Sequence, residues 1–226
     1  CINCGRCLEV CPQNAKTFAS DMKRVKDYLR QGFQTIISIA PSYAGVLEFD
    51  TPGQVVDALQ KLGFWEVRET AEGAALVTNE YKKLVRQNEM PNIITTCCPS
   101  VNDLIEKYYP DCAKLMAPVV SPMIAHGRYI KKIYGPDIKV VFLGPCIAKK
   151  QEAIGDDRVF GAVDAILTFE ELADWLHEEG IDLHQCEDKP MGNPDPQINR
   201  LYPVSGGVIQ SVITEEEADG YHKVFV

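Results

Sequence analysis

From about residue 34 onward, short apolar runs alternate with longer stretches in which apolar residues recur every three or four positions. The first pattern suits strands buried on both faces, and the second suits helices with one apolar stripe. "TIISIAPS" (35–42) predicts a buried strand broken at Pro41. "TPGQVVDALQKLG" (51–63) predicts a helix with Thr51 as N-cap, Pro52 in the first turn and Gly63 as its stop. "FWEVRET" (64–70) reads as a strand and "EGAALVTNEYKKLVRQ" (72–87) as a helix. "NIITTCCPS" (92–100) reads as a strand, and "VNDLIEKYY" (101–109) as a helix ended by Pro110. A helix over 121–135, the most strand-like run "IKVVFLGPC" (138–146), a strand over 162–168 and a helix over 169–180 complete the series. Residues 186–200, "CEDKPMGNPDPQINR", hold three prolines and no period, which makes them a loop.

Regular strand–helix alternation predicts an α/β fold: two lobes of mostly parallel sheet flanked by helices. Residues 1–16 are different, a compact cysteine block followed by a short charged helix over 22–31. The expected divisions are a cysteine-rich segment with its linker helix (1–31), a first α/β lobe (32–115) and a second, truncated lobe (116–226).

Composition narrows the function classes. The 226-residue chain carries a formal net charge of −9, which argues against sequence-independent nucleic-acid binding, since that needs clustered Lys and Arg. No apolar run approaches the roughly 20 residues of a membrane span. The chain begins at Cys1 without an initiator Met or a signal peptide and reads as a fragment. Four of the nine cysteines fall in the first eleven residues and two are adjacent, a distribution unlike a disulfide framework. Clustered thiols without secretory signals suit metal or redox ligation in a reducing cytoplasm.

Cys1-x2-Cys4-x2-Cys7-x3-Cys11-Pro12 reproduces the bacterial ferredoxin run, whose spacing brings three thiolates to one cubane while the fourth serves another cluster. Zinc is the competing reading, but zinc modules usually pair two distant CxxC arms. The partner run is expected upstream of Cys1. The adjacent Cys97 and Cys98 end an apolar run, where strand alternation would point them to opposite faces. Cys146 stands at the end of another strand-like run, and ligands of open parallel sheets bind beyond the carboxyl ends of the strands. Cys112 and Cys186 read as inert thiols, and His126, His177, His184 and His222 as structural, because none has metal-ligand spacing.

"TTCCPSV" (95–101) and "GPCIAKKQE" (144–152), preceded by the ferredoxin-type block, resemble the iron-only, or FeFe, hydrogenases. The resemblance implies 4Fe–4S clusters and, in the complete protein, an H-cluster made of a 4Fe–4S cubane joined to a di-iron subcluster. It implies Cys98 and Cys146 as cubane ligands, Cys97 as the thiol that passes protons, and Lys149 as hydrogen-bond donor to a cyanide of the di-iron part. It further implies Ser121 and Glu80 as proton-path residues, and Cys1, Cys4, Cys7 and Cys11 as ligands of electron-transfer clusters. H2 and protons would be the substrates, and a ferredoxin or another redox subunit the partner. The family's third signature, a C-x3-C pair, is absent, so this chain alone is expected not to hold a complete H-cluster or turn over H2. Ser100-Val101 and Gly144 depart from the commonest family residues, which keeps open a hydrogen- or redox-sensing module. A hydrogenase-like iron–sulfur assembly factor is the further alternative, opposed by Cys97.

Overall fold

In the computed structural model, which describes residues 1–155 and 157–213, four strands form one parallel sheet in the order β2-β1-β3-β4. They are β1 (Thr35–Ile39), β2 (Glu66–Glu69), β3 (Lys139–Leu143) and β4 (Ala165–Leu167). All five residues of β1 are buried, as both-face coverage requires. β1 pairs with β2 (Ile37 opposite Val67) and with β3 (Ile37 opposite Val141). The sheet is therefore common to the 32–115 and 116–226 segments.

The helices that cover the sheet begin where local chemistry favours a start. Helix α1 (Arg6–Glu9) is a single turn in the cysteine block, and α2 (Met22–Arg30) leads out of it. At α3 (Pro52–Lys61), Pro52 opens the helix and the Gln54 amide oxygen accepts from the Asp50 N–H at 2.7 Å. Then come α4 (Ala71–Gln87), α5 (Pro99–Tyr108), α6 (Pro122–Tyr134) and α7 (Ala148–Ile154). At α8 (Phe169–Glu178) a reciprocal box closes the start: Thr168 Oγ1 accepts from Glu171 N, and Glu171 Oε2 accepts from Thr168 N. The short α9 (Gly207–Val212) is the last described helix. His222 and the acidic run Glu215–Glu217 lie outside the described residues.

Helices α4 and α6 pack so closely that a Cβ on Gly73 would run into the Pro122 carbonyl oxygen and His126 Cβ. A buried polar relay fixes both helices to the sheet. Ser38 Oγ of β1 meets His126 Nδ1 at 2.7 Å, and His126 Nε2 meets Glu72 Oε2 at 2.9 Å. Arg68 of β2 clasps Glu72 with both of its NH2 contacts (2.7 and 2.8 Å) and reaches Glu66 at 2.7 Å. His126 is fully buried, and that burial holds its pKa below the usual imidazole range against the pull of Glu72.

The proline-rich 186–200 loop is anchored by side chains. Asp57 of α3 accepts from Lys189 (2.6 Å), Lys61 (2.7 Å) and the Glu187 N–H, and Arg200 grips the buried Glu69 at 2.8 Å. The Gly192 N–H extends from the same loop to the Val67 carbonyl at the edge of the sheet.

The stretch 92–100 departs from its expected strand. Only Ile94 makes a bridge, parallel to Met116, backed by Ile94 N–H to Leu115 O and Ala117 N–H to Ile94 O. No strand of the main sheet lies beside it among the described residues, and Pro99, which lacks an N–H, starts α5 directly. A second, smaller apolar cluster around Val77, Tyr81, Ala117 and Val212 packs beneath this bridge.

Candidate metal centre at the carboxyl edge of the sheet

The chain leaves β1 for β2 on one side and returns to β3 on the other, so the switch point of the sheet lies between β1 and β3. The crevice beyond the carboxyl ends of such a strand pair is where open α/β sheets bind ligands. Here it is framed by the 3-10 turn Pro41–Gly45 after β1 and by Gly144-Pro145-Cys146 after β3. The two are tied together by Ala40 N–H to Leu143 O at 2.8 Å. Gly144 has no room for a side chain, since a Cβ would sit 2.7 Å from the Phe142 ring and 3.2 Å from Ala40 Cβ. Cys146 is thereby placed, partly exposed, just ahead of α7.

The twin cysteines reach the same region from another direction. Thr96 is immobilised first: its N–H donates to Tyr81 Oη (2.9 Å), its hydroxyl donates to Val119 O (2.7 Å), and its carbonyl accepts from Asn102 Nδ2 (3.0 Å). Cys98 then takes the N-cap position of α5, with Pro99 at the first turn. The two thiols differ in environment because Cys98 caps the start of α5 while Cys97 lies one residue before the cap, not because a strand alternates. Helix α5 packs against α7, which carries Lys149. Lys149 Nζ donates to the Cys97 carbonyl at 3.0 Å and pairs with Glu152 Oε2 at 2.7 Å. One ammonium thus links the Cys97-Cys98 turn to the Cys146 segment. Burial pushes the Cys97 thiol up; Lys149 opposes this, while Cys98 and Glu152 add to it.

Cys1, Cys4 and Cys7 line one cavity of about 780 Å³, whose other wall is Leu104 and Tyr108 of α5 with Ile147 and Ile154. The block is tied to α5 by Asn3 Nδ2 to Asp103 Oδ2 (3.0 Å) and Lys107 Nζ to the Cys1 carbonyl (2.8 Å). Gly5, at φ +81°, lies so close to Ile147 that an added Cβ would be 3.1 Å from its Cδ1. The ferredoxin-type block therefore abuts the residue next to Cys146. Cys11 stands apart from that cavity, its thiol pulled down first by the Ala15 N–H.

Ser121 is buried at the N-cap of α6, accepting from Ile124 N at 3.5 Å, and faces a cavity of about 710 Å³. Glu80 is not brought to that place. It pairs with Lys83 (2.7 Å), both half-exposed, on a different cavity floored by Val77, Val119 and Val120. Cys112 is partly exposed; Cys186 is buried with its sulfur 3.5 Å from Lys61 Nζ.

Residues 33–223 match the family described as iron only hydrogenase large subunit, C-terminal domain. The chain belongs to this family. Residues 1–17 match a 4Fe-4S binding domain. Among relatives, the Periplasmic [Fe] hydrogenase large subunit of Nitratidesulfovibrio vulgaris is 31% identical over 190 residues, covering 72% of this chain and 43% of that protein. The Cytosolic Fe-S cluster assembly factor NAR1 of Vanderwaltozyma polyspora is 26% identical over 196 residues, covering 80% of this chain and 35% of that protein. The solved apo [FeFe]-hydrogenase HydA1 of Chlamydomonas reinhardtii superposes with a TM-score of 0.67 at 26% identity, over 78% of this chain and 52% of that one. The chain thus spans less than half the length of these curated relatives.

The hydrogenase family implies an iron–sulfur cofactor, and the donor set suits one. All nine cysteines are free thiols, and soft thiolates are the ligands such clusters take. Cys98 and Cys146 stand ahead of two helices packed on one another, bridged by Lys149. Sequence reasoning passed over three contributors: the Ala40-Pro41-Ser42 turn, Asn102 and Tyr81. The Pro that breaks the first strand marked the turn's position, but its nearness to Gly144 depends on strand order. Asn102 sits in the first turns of α5, six residues after Thr96, whose carbonyl it binds, a placement visible once the helix start is known.

Proposed function

We propose that this chain is the cluster-binding core of a hydrogenase of the iron-only class, which interconverts H2 with protons and electrons in its complete form. The observation that carries the reading is Lys149, whose single ammonium joins the Cys97-Cys98 turn to the Cys146 segment at the switch point of the sheet. Cys98 and Cys146 hold the cubane of the H-cluster. Lys149, a compact point charge in a half-buried site, would donate a hydrogen bond to a cyanide of the di-iron part when that group is bound. When bound, that group supplies the two-electron acceptor that splitting H2 requires. Cys97 would hold and release the proton at its Sγ, a thiol that burial pushes up from its ordinary value. The Cys1–Cys11 block carries electrons between the centre and a ferredoxin-like partner, and its contact with Ile147 gives a short route. The clustering of reduced thiols supports a cytoplasmic site of action.

Cys97→Ser should keep iron and sulfide content at the wild-type level and abolish turnover, whereas Cys98→Ser should lower cluster content. Equal loss of iron in the two variants would refute this division of labour. The likeness to an assembly factor favours a second reading, in which the same thiols hold a cluster without H2 chemistry. Anaerobic loading that gives cubane signals with no Fe–CO or Fe–CN infrared bands would select it.

A further inference from the structure

Lys150 follows Lys149 in the motif over 144–152 but takes no part in its bridge. It is one wall of the cavity of about 780 Å³ that Cys1, Cys4 and Cys7 line. Its Nζ donates to the Ile166 carbonyl of β4 at 2.7 Å and pairs with Glu171 Oε2 of α8 at 3.2 Å. The same ammonium stands 5.2 Å from the centre of the Phe18 ring, which lines the cavity as well. Carbonyl, carboxylate and ring together hold the charge in one position.

Two side-chain cations line this cavity, Lys150 and Arg6, and burial separates them. Arg6 pairs with Glu9 at 2.7 Å with the two side chains 73% and 65% exposed, so water and salt screen its charge. The Lys150 and Glu171 side chains are only 13% and 11% exposed, where screening is weak. Glu171 is not among the cavity's walls; its Oε2 also accepts from the Thr168 N–H at 2.7 Å, at the start of α8. The cavity is thus bordered by Lys150 and not by its counter-ion. Leu8, Leu104, Ile147 and Ile154 are further walls, a low-dielectric surround in which a charge acts more strongly than in water.

Net charge nearby is one of the levers that set the reduction potential of an iron–sulfur cluster. Reduction adds one electron and one negative charge with no bond made or broken, so a fixed positive charge favours the reduced form. We propose that Lys150 is the charge that raises the reduction potential of the cluster to which Cys1, Cys4 and Cys7 contribute, with Glu171 offsetting part of it. The electron comes from a low-potential one-electron donor, whose oxidised form is the other product. This rests on the cluster reading of the amino-terminal block above and adds to it the residue pair that tunes it.

The test is a redox titration of the full-length holoprotein with dithionite, followed by electron paramagnetic resonance. The signal of this cluster is the one lost in Cys4→Ala. Lys150→Met should move its midpoint to lower potential, changing the ratio of reduced to oxidised cluster about tenfold at a fixed potential, or about 59 mV for one electron. Lys150→Arg should keep most of the wild-type value. Glu171→Gln should move the midpoint the opposite way, and it retains the capping box with Thr168 because Gln serves at that position. Arg6→Gln should give a smaller shift that vanishes at high salt. Iron and sulfide content should stay at the wild-type level throughout, whereas a packing role alone would lower it or displace both charge variants in the same sense. If Lys150→Met does not fold, the shift in Glu171→Gln decides alone. An unchanged midpoint in either variant, displacements of the same sign in both, or an equal shift in Arg6→Gln overturns the assignment of Lys150. A wild-type titration with no signal that Cys4→Ala removes overturns the cluster reading beneath it.

Discussion

At the scale of single residues, Lys149 illustrates how one side chain joins parts distant in sequence. Its ammonium satisfies the Cys97 carbonyl and the Glu152 carboxylate, and all three groups are at most partly exposed. Lys149→Ala leaves a desolvated carboxylate without its partner, a loss worth about 1–3 kcal/mol. Urea unfolding should show a lower midpoint of about that size at an unchanged slope, while Lys149→Arg should recover part of it. The motif P-C-x-x-K-K-x-E made Lys149 legible in the sequence, because the cysteine three residues earlier gave it a context. The same motif contains Glu152, but nothing in one sequence says that its carboxylate faces a cavity. Glu80 was chosen on its spacing from Cys97 alone, and the structure places it beside Lys83 on a cavity it shares with Val77, Val119 and Val120.

At the scale of elements, periodicity placed most helices and strands to within a few residues. It did so because each helix carries its own punctuation, as with Pro52 opening α3 and the Thr168–Glu171 box opening α8. The 92–100 stretch was misread since an apolar run says that a segment is buried, not that a neighbouring strand is there to pair with it. Nor did local pattern reveal the Ser38–His126–Glu72–Arg68 relay, whose members come from β1, α6, α4 and β2. Arg68→Ala would strand Glu66 and Glu72 in a largely buried setting. Such a broken network costs about 3–5 kcal/mol, which should appear as a large drop in the denaturation midpoint. Asp57 gives the loop anchor a pH signature. Lys189 first, then Lys61, hold its carboxyl well below the usual carboxylate range, so the folded state binds its proton less readily than the unfolded chain. Its stabilising effect is complete above about pH 4 and is lost as pH falls toward the folded-state value. Asp57→Asn should be less stable than the parent at pH 7, with the gap narrowing as unfolding is measured toward pH 3.

For the whole molecule, one parallel sheet sets Cys146 just beyond the carboxyl end of β3, and α5 and α7 connect that segment to the Cys97-Cys98 turn and the amino-terminal cysteine block. The crossover between β1 and β3 supplies the crevice, α5, which Cys98 caps, packs on α7, which follows Cys146, and the ferredoxin-type block lies against both helices. Net charge and composition only argued against some classes of partner, whereas the order of the cysteine signatures carried the family. The most direct measurement of the central claim is an anaerobic infrared spectrum of the reconstituted full-length protein, taken with its iron content, for wild type, Cys97→Ser and Cys98→Ser. Fe–CO and Fe–CN bands in wild type and Cys97→Ser, with diminished bands and iron in Cys98→Ser, are the expected result. A wild-type protein fully loaded with iron and sulfide that shows cubane signals and none of those bands would contradict it.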